Sequence, residues 1–193
     1  MFVLILKVTP QEASKMFVLL TVSGFIGRLS FSYLSEKIGR RNCGALLGLG
    51  GAFFIILAGY NYNTMLFGVS AFWLILAVAM FFVDGGFAIV GPYAAEVWPS
   101  HLRTSDMGSA YGFGGIGKII GPMGLAMIVG SSNFVKPDVP LDAIPMVFVY
   151  LGGWFVLAGL VYYFLGIETR GKSIEQIDRE LEANGRQPSL ERA

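Results

Sequence analysis

The stretch CGALLGLGGAFFIILAGY, residues 43–60, runs for 18 residues without a charge. About 20 apolar residues carry a helix across roughly 30 Å of hydrocarbon. This run offers none of the polar face that a helix at a water-exposed surface needs, so it reads as a membrane span. Working outward, four more segments meet the same test: about 13–34, 65–97, 107–130 and 144–166. The segment 13–34 is the most polar, with Thr21, Ser23, Arg28, Ser30 and Ser32. The segment 65–97 is too long to stand upright. Gly85-Gly86 and Gly91-Pro92 interrupt it, which predicts tilt or a kink and a candidate hinge. The expected fold is an all-α membrane protein of five transmembrane helices.

Composition agrees with that reading. The chain has 193 residues, 54% hydrophobic and 14% charged, with a mean hydropathy of +0.64. Soluble domains carry about 25% charge, and a chain this apolar inserts or collapses rather than staying disordered. The net charge of +1 argues against a nucleic-acid partner, which would require clustered basic residues. The lipid bilayer is the expected environment. A single cysteine, Cys43, excludes an internal disulfide and a multi-cysteine metal site. No catalytic constellation, cofactor motif or metal-ligand cluster is present, so an enzyme is not expected. The run from Gly112 to Lys118 mimics the front of a phosphate-binding loop. Its next residue is Ile119, though, where that loop requires Ser or Thr. His101, the one histidine, sits in a loop beside Pro99.

Two further segments flank the spans. Residues 1–12 read as the remnant of a preceding helix and an outer loop; the apolar 1–8 lacks the basic start of a signal peptide. Residues 167–193 read as a tail. There Ser173-Ile174-Glu175-Gln176 has the spacing of a capping box, and Ile174, Ile177 and Leu181 mark one face of a short helix. Lys37, Arg40 and Arg41, then Arg103, then Arg170 and Lys172 lie on one side of the membrane. The opposite loops have only Lys136, with Lys7 and Lys15 weakening the bias. The positive-inside rule therefore predicts a multi-pass inner or plasma membrane protein with a cytoplasmic C-terminus.

Three charges fall inside the spans: Arg28, Asp84 and Lys118. Each costs about 2.5–3.5 kcal/mol at the bilayer centre on insertion scales and is expected to face a cavity or a partner. Asp84 lies 12 residues before Glu96 and Lys118 lies 12 residues after Asp106, roughly 18 Å in each case. That predicts an Asp84–Lys118 pair near the midplane. Arg28, about 10 Å from Ser35 by the same rise, is either a snorkelling cation or a third member of the site. The pair reads either as a structural salt bridge or as a substrate or proton site, since transporters bind their cargo at the midplane. Gly44/Gly48, Gly108/Gly112 and Gly117/Gly121 stand at the small-xxx-small spacing that lets helices approach closely.

The loops carry recognisable motifs. Gly27-Arg28-Leu29 followed by Leu34-Ser35-Glu36-Lys37-Ile38-Gly39-Arg40-Arg41 resembles the G-x-x-x-D-x-x-G-R-R loop of the major facilitator superfamily. Glu36 stands for the usual Asp, and Ser32 for the leading Gly. Glu96-Val97-Trp98-Pro99-Ser100-His101-Leu102-Arg103 resembles the E-x-x-P-x-x-x-R signature of its sugar-porter and metabolite:proton-symporter branches. Ile167-Glu168-Thr169-Arg170-Gly171-Lys172-Ser173-Ile174-Glu175 is similar to the P-E-T-K-G-K-S-L-E tail, with Ile167 in place of proline. The resemblance aligns the chain with the carboxyl-terminal half of such a carrier, from the end of its seventh helix onward.

That resemblance implies that the charged spans line a central cavity and that the uncharged ones face lipid. It implies a cytoplasmic gate in which Glu36, Gly39, Arg40 and Arg41 meet Glu96, Arg103 and Glu168. It also implies proton-coupled uptake of a small polar metabolite, an organic acid or a sugar, by alternating access between two bundles. Five spans supply one bundle. The expectation is therefore a truncated carrier needing an amino-terminal bundle or a second copy. The rival expectation is a non-transporting remnant or an interaction subunit that binds another membrane protein through its glycine-rich faces.

Overall fold

A computed structural model of the chain describes residues 9–66, 68–98, 103–131 and 140–183. The apolar start 1–8, Phe67, His101, Lys136 and the end of the tail lie outside the described residues. Five helices are long and apolar enough to cross a membrane. They are α1 (Pro10–Ile38), α2 (Arg40–Tyr60), the consecutive pair α3 (Ala71–Gly85) and α4 (Phe87–Val97), α5 (Arg103–Val129) and α6 (Ile144–Leu165). A short helix α7 (Ile174–Ala183) follows.

Three boundaries differ from the sequence expectation, each for a local reason. Helix α1 starts at Pro10, earlier than residue 13, because Thr9 and Glu12 form a reciprocal capping box with Pro at the first turn. The segment expected to begin at 65 opens instead as a small antiparallel hairpin, β1 (Met65–Leu66) with β2 (Val69–Ser70). Gly68 takes φ +79 there, a conformation that a continuing helix cannot accommodate. Helix α2 begins at Arg40 rather than 43, since its charged first turn is helical although a hydropathy reading excludes it. The expected interruption near Gly85-Gly86 is present, with α3 ending at Gly85 and α4 starting at Phe87. In the tail, the capping box forms as expected: the Ser173 N–H donates to Gln176 Oε1 at 2.9 Å, and the Gln176 N–H donates to Ser173 Oγ at 3.3 Å. Ile177 is buried.

Two seams hold the bundle together. Along the α2–α6 seam residue numbers rise on one helix as they fall on the other, so the two are antiparallel. A Cβ at Gly48 would come within 2.5 Å of Gly159, Gly44 lies under Tyr162, and Gly152 lies under Ile56. These contacts bear out the expected packing use of Gly44 and Gly48. The apolar core continues into α3, where Phe72 meets Phe148 edge-on at 5.5 Å among Ile55, Ala58, Ala79 and Val147. A second cluster at the opposite end joins Phe31, Cys43, Leu47 and Ile89. Helix α2 is thus the most enclosed of the spans, with Leu46, Leu49 and Phe53 left exposed on it.

Helix α5 differs from the others. A Cβ at Gly108, Gly112, Gly117 or Gly121 would meet nothing within 4 Å. The close approach those glycines permit is therefore not made by the described residues of this chain. The contrast gives a stability prediction. Gly48→Val forces α2 and α6 apart and should cost about 1–3 kcal/mol, the usual range for overpacking. It should appear as a lowered Tm in detergent, whereas Gly112→Ala should leave Tm unchanged or slightly raised. An equal response of the two variants would contradict the assigned seam.

Candidate functional site

The second seam, α1 against α3, builds the intramembrane site. Gly24 and Gly27 give α1 a face without side chains, and α3 settles directly on it. The Asp84 carboxylate lies over Gly24, and the Phe81 carbonyl lies over Gly27. Ser23 Oγ donates to the Ala77 carbonyl at 2.6 Å one turn away. This close approach brings Arg28 Nη2 to 3.4 Å from Asp84 Oδ1. The guanidinium also lies 5.2 Å from the centre of the Phe87 ring, a cation–π contact. The Arg28 side chain is 50% exposed and that of Asp84 22%.

Asp84 is therefore paired, but not with the expected residue. Its partner is Arg28. Lys118 is exposed on the sparsely packed α5 and has no acidic partner among the described residues. The physical reason lies in the glycine face of α1. It places an arginine stem beside α3, whereas α5 packs only lightly, against α6 and α4. Of the candidate hinge residues, Gly85 is buried against Phe31 and Leu47, while Gly86 follows the end of α3. Gly91 has open space beside it, and Pro92 lies inside α4.

The second polar cluster joins four segments at the end of α1. Arg40 grips Glu96 with two nitrogens, Nε to Oε2 at 2.7 Å and Nη2 to Oε1 at 2.7 Å. This fork geometry makes Arg–carboxylate pairs strong and directional. Arg40 Nη1 also donates to Ser35 Oγ at 3.1 Å. The Thr169 hydroxyl donates to Glu96 Oε2 at 2.6 Å, so the tail closes over the same carboxylate. Gly39 links α1 to α2 with φ +92 and has no side chain to cap the helix it precedes. Glu168 does that instead, its Oε1 accepting the Arg40 N–H at 3.0 Å and the Arg170 N–H at 3.1 Å. An acidic group at a helix N-terminus is favoured by the helix dipole. A side chain at Gly39 would strike the Glu168 carboxylate. The Ile167 N–H donates to the Tyr93 hydroxyl at 2.7 Å, a further tie between tail and α4.

The structure thus brings together Glu36, Gly39, Arg40, Glu96 and Glu168, with Glu36 lining the small polar cavity of about 170 Å³ beside Arg40 and Glu96. Arg41 and Arg103 do not join them. Arg41 donates instead to the Tyr163 carbonyl and lies over the Tyr163 ring. Arg103 has two enclosed guanidinium nitrogens without a partner among the described residues. Sequence reasoning missed Ser35, Thr169 and Tyr93 as members of the cluster. Thr169 lay within the tail motif, but nothing in its spacing marked the hydroxyl as a donor to Glu96.

The two ion pairs share one register. Arg28 and Asp84 are 56 residues apart, as are Arg40 and Glu96. The step from the inner pair to the outer one is 12 residues on both sides (40 − 28 and 96 − 84), although Arg40 lies past Gly39, where the chain turns from α1 into α2. The α1 and α3–α4 segments run parallel and are joined by Arg28–Asp84, while Arg40–Glu96 ties the start of α2 to α4.

Comparison with known proteins adds three findings. Residues 2–190 match the sequence pattern described as Major Facilitator Superfamily. Among curated relatives, the Synaptic vesicle 2-related protein of Xenopus laevis is 28% identical over 160 residues, covering 81% of this chain and 26% of that protein. A protein described as a probable 4-methylmuconolactone transporter, from Cupriavidus pinatubonensis, is 29% identical over 169 residues, covering 82% of this chain and 34% of that protein. The inner membrane metabolite transport protein YdjE of Escherichia coli is 33% identical over 85 residues, 44% of this chain and 17% of that protein. The chain spans about a quarter to a third of the length of the first two of these relatives. No solved structure matches it.

Proposed function

The chain belongs to the major facilitator superfamily, and from that membership we propose that it forms the carboxyl-terminal half of a proton-coupled carrier for a small polar metabolite. Membership places it among multi-pass membrane transporters rather than enzymes. The observation that carries the finer reading is the Arg28–Asp84 pair, held between two membrane-spanning segments with both side chains partly exposed. A carboxylate at such depth is costly unless it is paired or used. Here the pairing is a single contact at 3.4 Å.

In this reading Asp84 takes up and releases the coupling proton, Arg28 holds the charge balance between the two states, and Lys118 draws an anionic substrate such as an organic acid. The Arg40–Glu96–Thr169–Glu168 cluster is the cytoplasmic gate and the tail is cytoplasmic. The break at Gly85-Gly86, with Gly91 and Pro92 below it, is the hinge. Closure of the gate ties the start of α2 and the tail to α4, the segment that continues from the helix carrying Asp84.

The open glycine face of α5 supports a partner bundle across the cavity, supplied by an amino-terminal half or by a second copy. The same face also favours the reading of an interaction subunit. Proteoliposome uptake separates the two. A panel of organic acids and sugars is offered to the chain alone and to the chain with an amino-terminal bundle. Uptake of a panel member above empty vesicles, driven by an acidic exterior and dependent on the supplied bundle, is the expected result. Binding of the bundle without any such uptake would leave the interaction subunit as the function.

A further inference from the structure

We propose that a groove between α2, the α3–α4 segment and α6 holds one acyl chain of an anionic phospholipid whose phosphate sits on Arg41. The groove has a volume of about 260 Å³. Leu47 and Gly48, both buried, form its floor, and the exposed Phe87, Val90 and Ala158 form its rim. Tyr162 is its one lining residue with a polar side-chain group. Such a surface offers an occupant no hydrogen bonds to speak of and rewards burial of methylene groups, each worth about 0.8 kcal/mol. On α6 the lining runs from Tyr162 to Phe155, seven residues or roughly 10 Å along the helix axis. A chain-shaped occupant fits a groove that is long in that direction.

Arg41 marks which end carries the headgroup. It precedes the lining residue Gly44 by three positions, one turn beyond the groove on the same helix. Its Nε and Nη2 donate to the Tyr163 carbonyl, and its guanidinium carbon lies 5.6 Å from the Tyr163 ring centre. No carboxylate is within ion-pair distance of it among the described residues. A guanidinium has five N–H donors, so an unneutralised cation with spare donors stands where the acyl groove ends. Basic sites between membrane helices at the interface take anionic lipid headgroups on these grounds. The groove also touches Gly86 and Phe87, and Phe87 is the ring under Arg28. A bound chain therefore presses on the break in α3–α4 and on the residue supporting the intramembrane pair.

Native mass spectrometry of the purified chain in detergent tests this with three lipids: long-chain phosphatidylglycerol, phosphatidylcholine with the same chains, and short-chain phosphatidylglycerol. The wild-type chain should retain the long-chain anionic lipid about fivefold better than the zwitterionic one, the effect of one interfacial cation. It should retain the short-chain lipid more than about tenfold less well. Equal retention of the two headgroups, or of the two chain lengths, overturns the proposal without any variant. Arg41→Gln should bring the headgroup ratio to about one, and Ala158→Trp, which fills the groove from its rim, should lower retention of both long-chain lipids. If Arg41→Gln lowers Tm while the headgroup ratio stays, Arg41 serves only as a cap on α6 and the phosphate site is wrong. Unchanged retention by a folded Ala158→Trp variant would place the lipid elsewhere.

Discussion

Replacing Asp84 by asparagine is expected to abolish pH-driven accumulation by the carrier that contains this half, while leaving facilitated exchange of the same substrate. Asparagine keeps the shape of the side chain and can still accept a hydrogen bond from Arg28, but it cannot take a proton. A one-to-one proton symporter driven by an inward proton gradient of one pH unit gains about 1.4 kcal/mol per cycle, equivalent to about tenfold accumulation. The variant should give a ratio of about one. Counterflow of labelled substrate, which needs no proton, should persist. Loss of both accumulation and counterflow at normal protein level and Tm would mean that Asp84 is needed for binding or closure rather than for coupling.

The pair with Arg28 allows a sharper form of the same experiment. Removing one member of a partly enclosed ion pair strands the other, whereas replacing both is often close to neutral. If the bridge is only structural, Arg28→Gln/Asp84→Asn should recover whatever stability and accumulation Asp84→Asn loses. If Asp84 carries the proton, the double variant should recover Tm without recovering accumulation. The split between those two readouts distinguishes a bridge that holds helices from one that is opened and closed during transport.

Why the partner of Asp84 was misread from the sequence is instructive. Depth along a helix is legible from residue counting, but only relative to a correct zero. Counting from Ser35 puts Arg28 about 10 Å along its helix, against roughly 18 Å for Asp84 from Glu96. What residue counting does not show is which helices meet: α1 lies directly against α3 through Gly24 and Gly27, and this brings Arg28 to Asp84. The spans themselves were legible because uncharged runs such as 43–60 have one physical explanation. The hairpin at 65–70 was not, since Met65, Leu66 and Val69 are as apolar as the helix that follows, and only Gly68 and its positive φ interrupt them. Packing was legible in half. Gly44/Gly48 and Gly108/Gly112 share a spacing, and the sequence does not say which pair finds a neighbour. For the outer cluster, the resemblance named the acidic and basic members. It could not show that Glu168 would cap α2, because that role depends on Gly39 lacking a side chain at a bend in the backbone.

The outer cluster carries the second large effect. Arg40→Ala removes the fork that holds Glu96 and leaves that carboxylate, with a side chain only 23% exposed, supported by Thr169 alone. Hydrogen bonds to charged groups are worth about 1.5–3 kcal/mol each, so the closed cluster should lose about 2–3 kcal/mol. The tail should then come free of α4. Backbone amides of residues 166–172 are the place to read this, because the Ile167 and Arg170 N–H groups are bonded to Tyr93 and Glu168 within the same assembly. Hydrogen exchange there should speed up by about 30- to 150-fold in Arg40→Ala. Thr169→Val, which removes one hydroxyl donor and leaves the fork, should change it by a smaller factor. Glu96→Gln tests the charge. It should cost nearly as much as Arg40→Ala, and adding it to Arg40→Ala should cost little more, since the second change removes a group already without its partner. Additive effects of the two would mean that the fork does not hold the tail. In that case the tie between tail and α4 rests on the Tyr93 hydroxyl, and Tyr93→Phe would become the variant that frees it.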